Sequence, residues 1–181
     1  MSHTLLSHTK VTGTTTSFVD ITGIDQTYQD LCYWFVGHAS DTGTYTNPEC
    51  YTLFNNDSGA NHTAQRVWTH GTAKYASNTD NANEFWFAGL GNKQHSNNSG
   101  GTIFGYIPNY TATTNYQGHT FWAWGGTVGD SAIGATGSMI LQYTGQWTQE
   151  TAINQIEFGY PAAGIYIAQN STFSLYGVKN S

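Results

Sequence analysis

The chain has 181 residues and a formal net charge of −6, and only 9% of its residues are charged. Its cations, Lys10, Arg66, Lys74, Lys93 and Lys179, are scattered, which excludes the clustered Lys and Arg that a nucleic-acid backbone needs. A chain of this length buries roughly 70% of its extended surface, enough for one domain with a core, and 15% aromatics amid Gly, Thr, Asn and Ser favour strands and turns over helices.

In chain order, residues 1–16 are rich in Thr, Ser and His, with one apolar pair, Leu5-Leu6. They are expected to form an N-terminal arm or an edge strand, with a single β-sandwich domain over 17–181. Met1 to Lys10 lacks the basic and apolar runs of a signal peptide. No stretch approaches the roughly 18 apolar residues of a membrane span. Short strand candidates follow, each closed by a turn cluster. They are Ser17–Ile21, Leu31–Gly37, Tyr51–Phe54, Ala64–His70, Glu84–Leu90, Thr102–Ile107, His119–Trp124, Ser138–Tyr143, Ala152–Phe158 and Thr172–Gly177. Ala76–Asn83 reads as a polar loop. About ten strands, with no amphipathic crossover helix between them, predict an all-β antiparallel sandwich or barrel.

Two cysteines are present, Cys32 and Cys50. If their strands formed one antiparallel hairpin, they would lie near opposite ends of its ladder, beyond the ~7 Å Cα reach of a disulfide. Two buried thiols are therefore expected, consistent with assembly in a reducing cytoplasm.

Leu31-Cys32-Tyr33-Trp34-Phe35-Val36 does not alternate apolar with polar residues. A strand with one wet face should alternate. Phe85-Trp86-Phe87 and Phe121-Trp122-Ala123-Trp124 break the rule in the same way. Since a two-layer sandwich covers only its inner faces, at least one outer face is expected to be buried against another chain. The alternative is a terminal arm or long loop lying over that face. Trp34, Phe85, Trp86, Phe87, Trp122 and Trp124 are the interface candidates.

Several segments, in order, resemble a family of virion structural proteins of tailed bacteriophages, frequent in marine and cyanobacterial phages. Val19 to Leu31 is similar to the family's opening strand, turn and second strand. Leu53-Phe54-Asn55-Asn56-Asp57-Ser58-Gly59-Ala60-Asn61-His62 is similar to a strand ending in a polar turn, departing from it at Asn61-His62, where the family favours Asn-Tyr. Phe104-Gly105-Tyr106-Ile107-Pro108-Asn109-Tyr110, Gly145 to Ile156 and the closing Ser171 to Val178 complete the likeness, which spans most of 18–178. The resemblance implies a jelly-roll-like sandwich located in the virion, as a capsid-surface or tail-appendage protein rather than a catalyst. Physical reasons support several of these segments. Pro108 lacks an N–H and ends a strand or sits at an edge. Trp147 is expected to plug one end of the sandwich, and Tyr176 to bury its ring and leave its hydroxyl wet.

The chemistry-bearing residues point to no catalytic site. There is no Gly-x-Ser-x-Gly elbow, and Cys32 inside an apolar strand reads as an inert thiol. Asp20, Asp25 and Asp30 are close in sequence, but Asp25 and Asp30 fall where Asx turns are common. The seven histidines show no paired ligand spacing. Asn55, Asp57 and Asn61 suit a turn better than a calcium site. No catalytic residue, metal ligand or cofactor is therefore assigned.

The expected function is a non-enzymatic capsid cement or decoration protein on the virion surface, assembled in the host cytoplasm. Its partners would be the major capsid protein and copies of itself, as a trimer or dimer, with neither nucleic acid nor membrane. The alternative is a carbohydrate-binding receptor module of a tail fibre or spike, whose host glycan would stack on Trp122 and Trp124. Those two lie at i and i+2, hence on one face of a strand.

Overall fold

The computed structural model describes residues 1–41, 50–70, 73–86, 100–130, 135–160 and 164–179. Its elements are β1 (Ser2–Lys10), β2 (Phe18–Thr22), β3 (Asp30–Gly37), β4 (Ala39–Asp41), β5 (Tyr51–Phe54), β6 (His62–His70) and β7 (Ala73–Ala82). They continue with β8 (Phe85–Trp86), β9 (Gly101–Ile107), β10 (Gln117–Asp130), β11 (Ala135–Trp147), β12 (Gln155–Gly159), β13 (Ile165–Ile167) and β14 (Thr172–Lys179). An eight-stranded sheet runs β1-β14-β3-β9-β10-β11-β6-β7, a four-stranded sheet runs β2-β12-β5-β8, and β13 pairs with β4. Neighbouring strands pair antiparallel throughout.

Alternation of side chains makes this an antiparallel β-sandwich. In β9 the inward residues Ile103 and Ile107 are fully buried and Gly105 between them is buried, while the outward Thr102, Phe104 and Tyr106 are half-buried. Leu31, Tyr33 and Phe35 of β3 point the same way and are 0% exposed. From the four-stranded sheet, Val19, Ile21, Phe54, Phe85, Ile156 and Phe158 meet them in one apolar cluster. Ring contacts tie the layers together, with Phe35 4.5 Å from Phe158 and Phe85 5.0 Å from His119 between centroids. One glycine makes room for a core ring. A Cβ at Gly105 would fall 2.1 Å from Cζ of Tyr33, so only glycine lets that ring lie on β9.

The turns are built from polar groups. Asn55 and Asn56 take φ of 52° and 54°, the left-handed region that Asn tolerates. The Asn55 Oδ1 accepts from the Asn154 and Gln155 N–H groups and its Nδ2 donates to the Ala152 carbonyl, tying this turn to the start of β12. Pro108 is exposed directly after β9, and Asn109 turns the chain at φ 49°.

The strand set is longer than expected. Residues 76–82, expected as a loop, belong to β7, which pairs with β6 from Ala73 to Ala82. Lys74, Ala76, Asn78 and Asp80 are exposed on this edge strand, which therefore carries loop-like residues. β10 and β11 extend past the expected His119–Trp124 and Ser138–Tyr143 through weakly patterned Gly and Thr residues. The hairpin considered for Cys32 and Cys50 does not form. Cys32 is in β3 of the large sheet, and Cys50 precedes β5 of the small one. Both residues are buried thiols outside any disulfide. β1 is an edge strand paired along β14, so it widens the large sheet and does not cross its outer face.

Candidate functional site

The outer face of the eight-stranded sheet follows from the register. Its middle row crosses the sheet through His8, Ser174, Trp34, Phe104, Trp122, Gln142, Val67 and Ala76, each opposite the next. The row above contains Val36, Thr102, Trp124 and Ile140, flanked by Lys10 and Lys74 at the two edges. The row below contains Tyr176, Cys32, Tyr106, Thr120 and Thr144. Trp34, Trp124, Val36, Val67 and Ile140 are 41%, 45%, 50%, 53% and 55% exposed, values that core residues never reach. Trp34 lies 4.7 Å from Phe104, and Phe104 stacks on Trp122 at 5.8 Å and 21°. Three adjacent strands therefore present one continuous aromatic strip to solvent. An apolar, ring-rich surface of this kind marks a site of interaction.

Electrostatics set this face apart from the rest of the molecule. In its three rows the charged residues are Lys10 and Lys74, both at the edges. The described acidic side chains lie elsewhere: Asp20, Asp25, Asp57, Glu84, Glu150 and Glu157 in the small sheet and its loops, Asp30 at the end of β3, and Asp80 below the rows on β7. Desolvating these three rows removes no carboxylate from water, and salt screens the apolar contact at their centre little.

The six interface candidates divide. Trp34, Trp122 and Trp124 belong to the strip. Phe85 does not: it is 0% exposed, packed edge-on against Phe54, His62, His119 and Tyr143. Its apolar neighbours in sequence suggested two covered faces, but β8 is the last strand of the small sheet and turns Phe85 into the core. Trp86 occupies β8 opposite Tyr51, and Phe87 lies outside the described residues. Sequence reading missed Phe104, Val36, Val67 and Ile140. The signal was available, since each is an apolar residue at the outward parity of a predicted strand, but only the register shows them adjacent.

The expectation that Leu31–Val36 is covered on both sides is met at one end of β3. Cys32 is 2% exposed beneath Tyr106, Tyr176 and His3, its Sγ 3.5 Å from His3 Nδ1. Burial pushes its thiol pKa up to about 11, so thiolate is scarce at neutral pH. At the other end Trp34 and Val36 face solvent. Tyr176 is on this outer face, half-buried beside Leu5 and Cys32.

Beside the strip, Thr63, Gln65, Asn78, Asp80, Thr144 and Gln146 line an open polar groove of about 450 Å³. Among the acids, Asp30 is 4% exposed and accepts from the Tyr106 hydroxyl and the Asn109 N–H, at 2.6 and 2.8 Å. It braces a turn, as Asp25 does by accepting from the Thr27 N–H. Glu84 and Glu157 form a like-charge pair; burial first and Glu157 second raise the Glu84 pKa, and the Tyr51 hydroxyl donates to Glu157. Among the described residues, no group of three or more His, Cys, Asp and Glu is placed to hold a metal ion. No helix among them is long and apolar enough to cross a membrane.

No model of a known protein family matches the chain, and no curated protein matches it in sequence.

Proposed function

We propose that the chain is a non-enzymatic structural protein of a bacteriophage particle, a cement or decoration subunit that stabilises the head by packing protein against protein. The jelly-roll-like chain path and the virion location that the sequence resemblance implies belong to this proposal, as do its partners, the major capsid protein and further copies of the chain. The observation that carries it is the aromatic strip on the outer face of the eight-stranded sheet, whose three central rows hold no carboxylate. A cement protein must hold against internal pressure, and apolar area with neutral hydrogen bonds supplies contacts that salt screens little. The buried, thiol-state Cys32 and the turn-bracing roles of Asp25 and Asp30 support the non-enzymatic reading. A stained gel of purified particles tests it. The chain should be present in hundreds of copies, and its deletion should lower thermal or osmotic tolerance of the heads. A handful of copies, with no change in tolerance, rules it out.

A second reading is favoured by one observation. The near-parallel Phe104 and Trp122 rings beside an amide-lined groove are suited to a sugar ring and its hydroxyls. This would make the chain a carbohydrate-binding module of a tail fibre or spike. It predicts few copies, and polysaccharide binding that Trp122→Ala abolishes.

A further inference from the structure

We infer that the occupant of the outer face is a second copy of this chain, packed sheet to sheet about a two-fold axis that lies across the strands. The inference rests on the protein-docking reading and names its partner. Area is the first argument. At about 4.8 Å between strands and about 6.7 Å per two-residue step, the three rows across the eight-stranded sheet cover about 770 Å². That is close to the roughly 800 Å² per partner of a stable interface.

Charge is the second argument. Copies that each carry −6 repel, yet the three rows of this face bring no carboxylate toward its twin. The cations on the face also choose the orientation. An axis along the strands would lay β1 over the copy's β7 and bring Lys10 toward Lys74 at the rim. An axis across them lays β7 over β7 with its ends exchanged. Lys74 then meets the Asn78–Asp80 end of the copy's strand, at the polar groove. The same axis lays the Trp34, Phe104 and Trp122 row upon itself, so rings from both copies interdigitate at the centre, where binding energy concentrates. A two-fold contact is closed and self-complementary, so it stops at a dimer.

Sedimentation equilibrium of the purified full chain tests this. Wild type should be a dimer at micromolar concentration. Trp122→Glu should raise the dimer Kd at least about 30-fold, the loss expected of a central aromatic anchor. Trp124→Glu should do the same, and both should keep the far-ultraviolet spectrum and cooperative melting of wild type. Lys74→Glu should weaken the dimer several-fold, and Lys74→Glu with Asp80→Lys should restore it. A monomeric wild type, or folded tryptophan variants that stay dimeric, overturns the inference. Failure of the double variant to recover overturns the across-strand axis. A monomer that still decorates heads in hundreds of copies sinks the inference and leaves the cement reading standing, whereas a dimer absent from particles does the reverse.

Discussion

Acidification from about pH 6.5 to pH 4 should cost the fold on the order of 3 kcal/mol through His119 alone. His119 is 1% exposed on β10, ringed by Phe54, Phe85, Phe121 and Tyr143, with Nε2 2.8 Å from the Tyr33 hydroxyl. Burial, with the neighbouring His62 adding to it, lowers its pKa to about 3. The unfolded imidazole binds its proton near pH 6.5, whereas the folded one resists until about pH 3. Between those values the unfolded chain holds more protons, so stability falls as pH falls. Above pH 6.5 both states are neutral and the residue has no effect on pH dependence. His62 acts in the same direction, since burial lowers its pKa while its ring N–H donates to the Ala82 carbonyl. Urea unfolding at pH 6, 5 and 4 should show that His119→Gln, which cannot titrate, removes about 1.4 kcal/mol per pH unit from the slope. An unchanged slope would show that His119 takes its proton without leaving the core.

Trp147→Ala should cost about 4 kcal/mol at neutral pH. Trp147 is 1% exposed at the end of β11, edge-on to Phe54, and its Nε1–H donates to Asp57 Oδ2 at 2.7 Å. The same carboxylate accepts from the Gly59 N–H and the Asn61 amide. Burial opposes its charge, but these three donors outweigh burial and hold its pKa below the ordinary value. Alanine would remove the indole volume and a charge-assisted bond together. Trp147→Phe keeps most of the volume and should cost only the bond, about 2 kcal/mol. Denaturant midpoints separate the two contributions. Equal losses for both variants would mean that packing contributes little and that the turn alone sets the effect.

Much of this fold was legible because strand and turn chemistry are local. Tyr51–Phe54 was expected at its observed bounds, and β9 differs from Thr102–Ile107 by one residue. Trp147 and Pro108 took the roles expected of them, a plug and a strand end. What was not legible depends on partners distant in sequence. β7 is polar because both its faces are wet, so nothing in Ala73–Ala82 separates it from a loop until β6 lies beside it. Phe85 and Trp34 sit in equally apolar triplets, yet one is core and the other surface. That difference is set by which face of its sheet each residue takes, inward for Phe85 and outward for Trp34, and composition does not encode it. The aromatic strip was half-read for the same reason: Trp34 and Trp122 were picked out singly, while Phe104, which joins them, emerges only from the register of three strands.

Hydroxyl-radical footprinting of Trp34 and Trp124 tests the central claim most directly, comparing the chain in intact particles with the chain at nanomolar dilution. Both indoles should oxidise readily when dilute and be strongly protected in the particle, while exposed Tyr116, outside the strip, keeps its reactivity. Equal oxidation of the two tryptophans in both states would mean that nothing covers this face when the protein is at work.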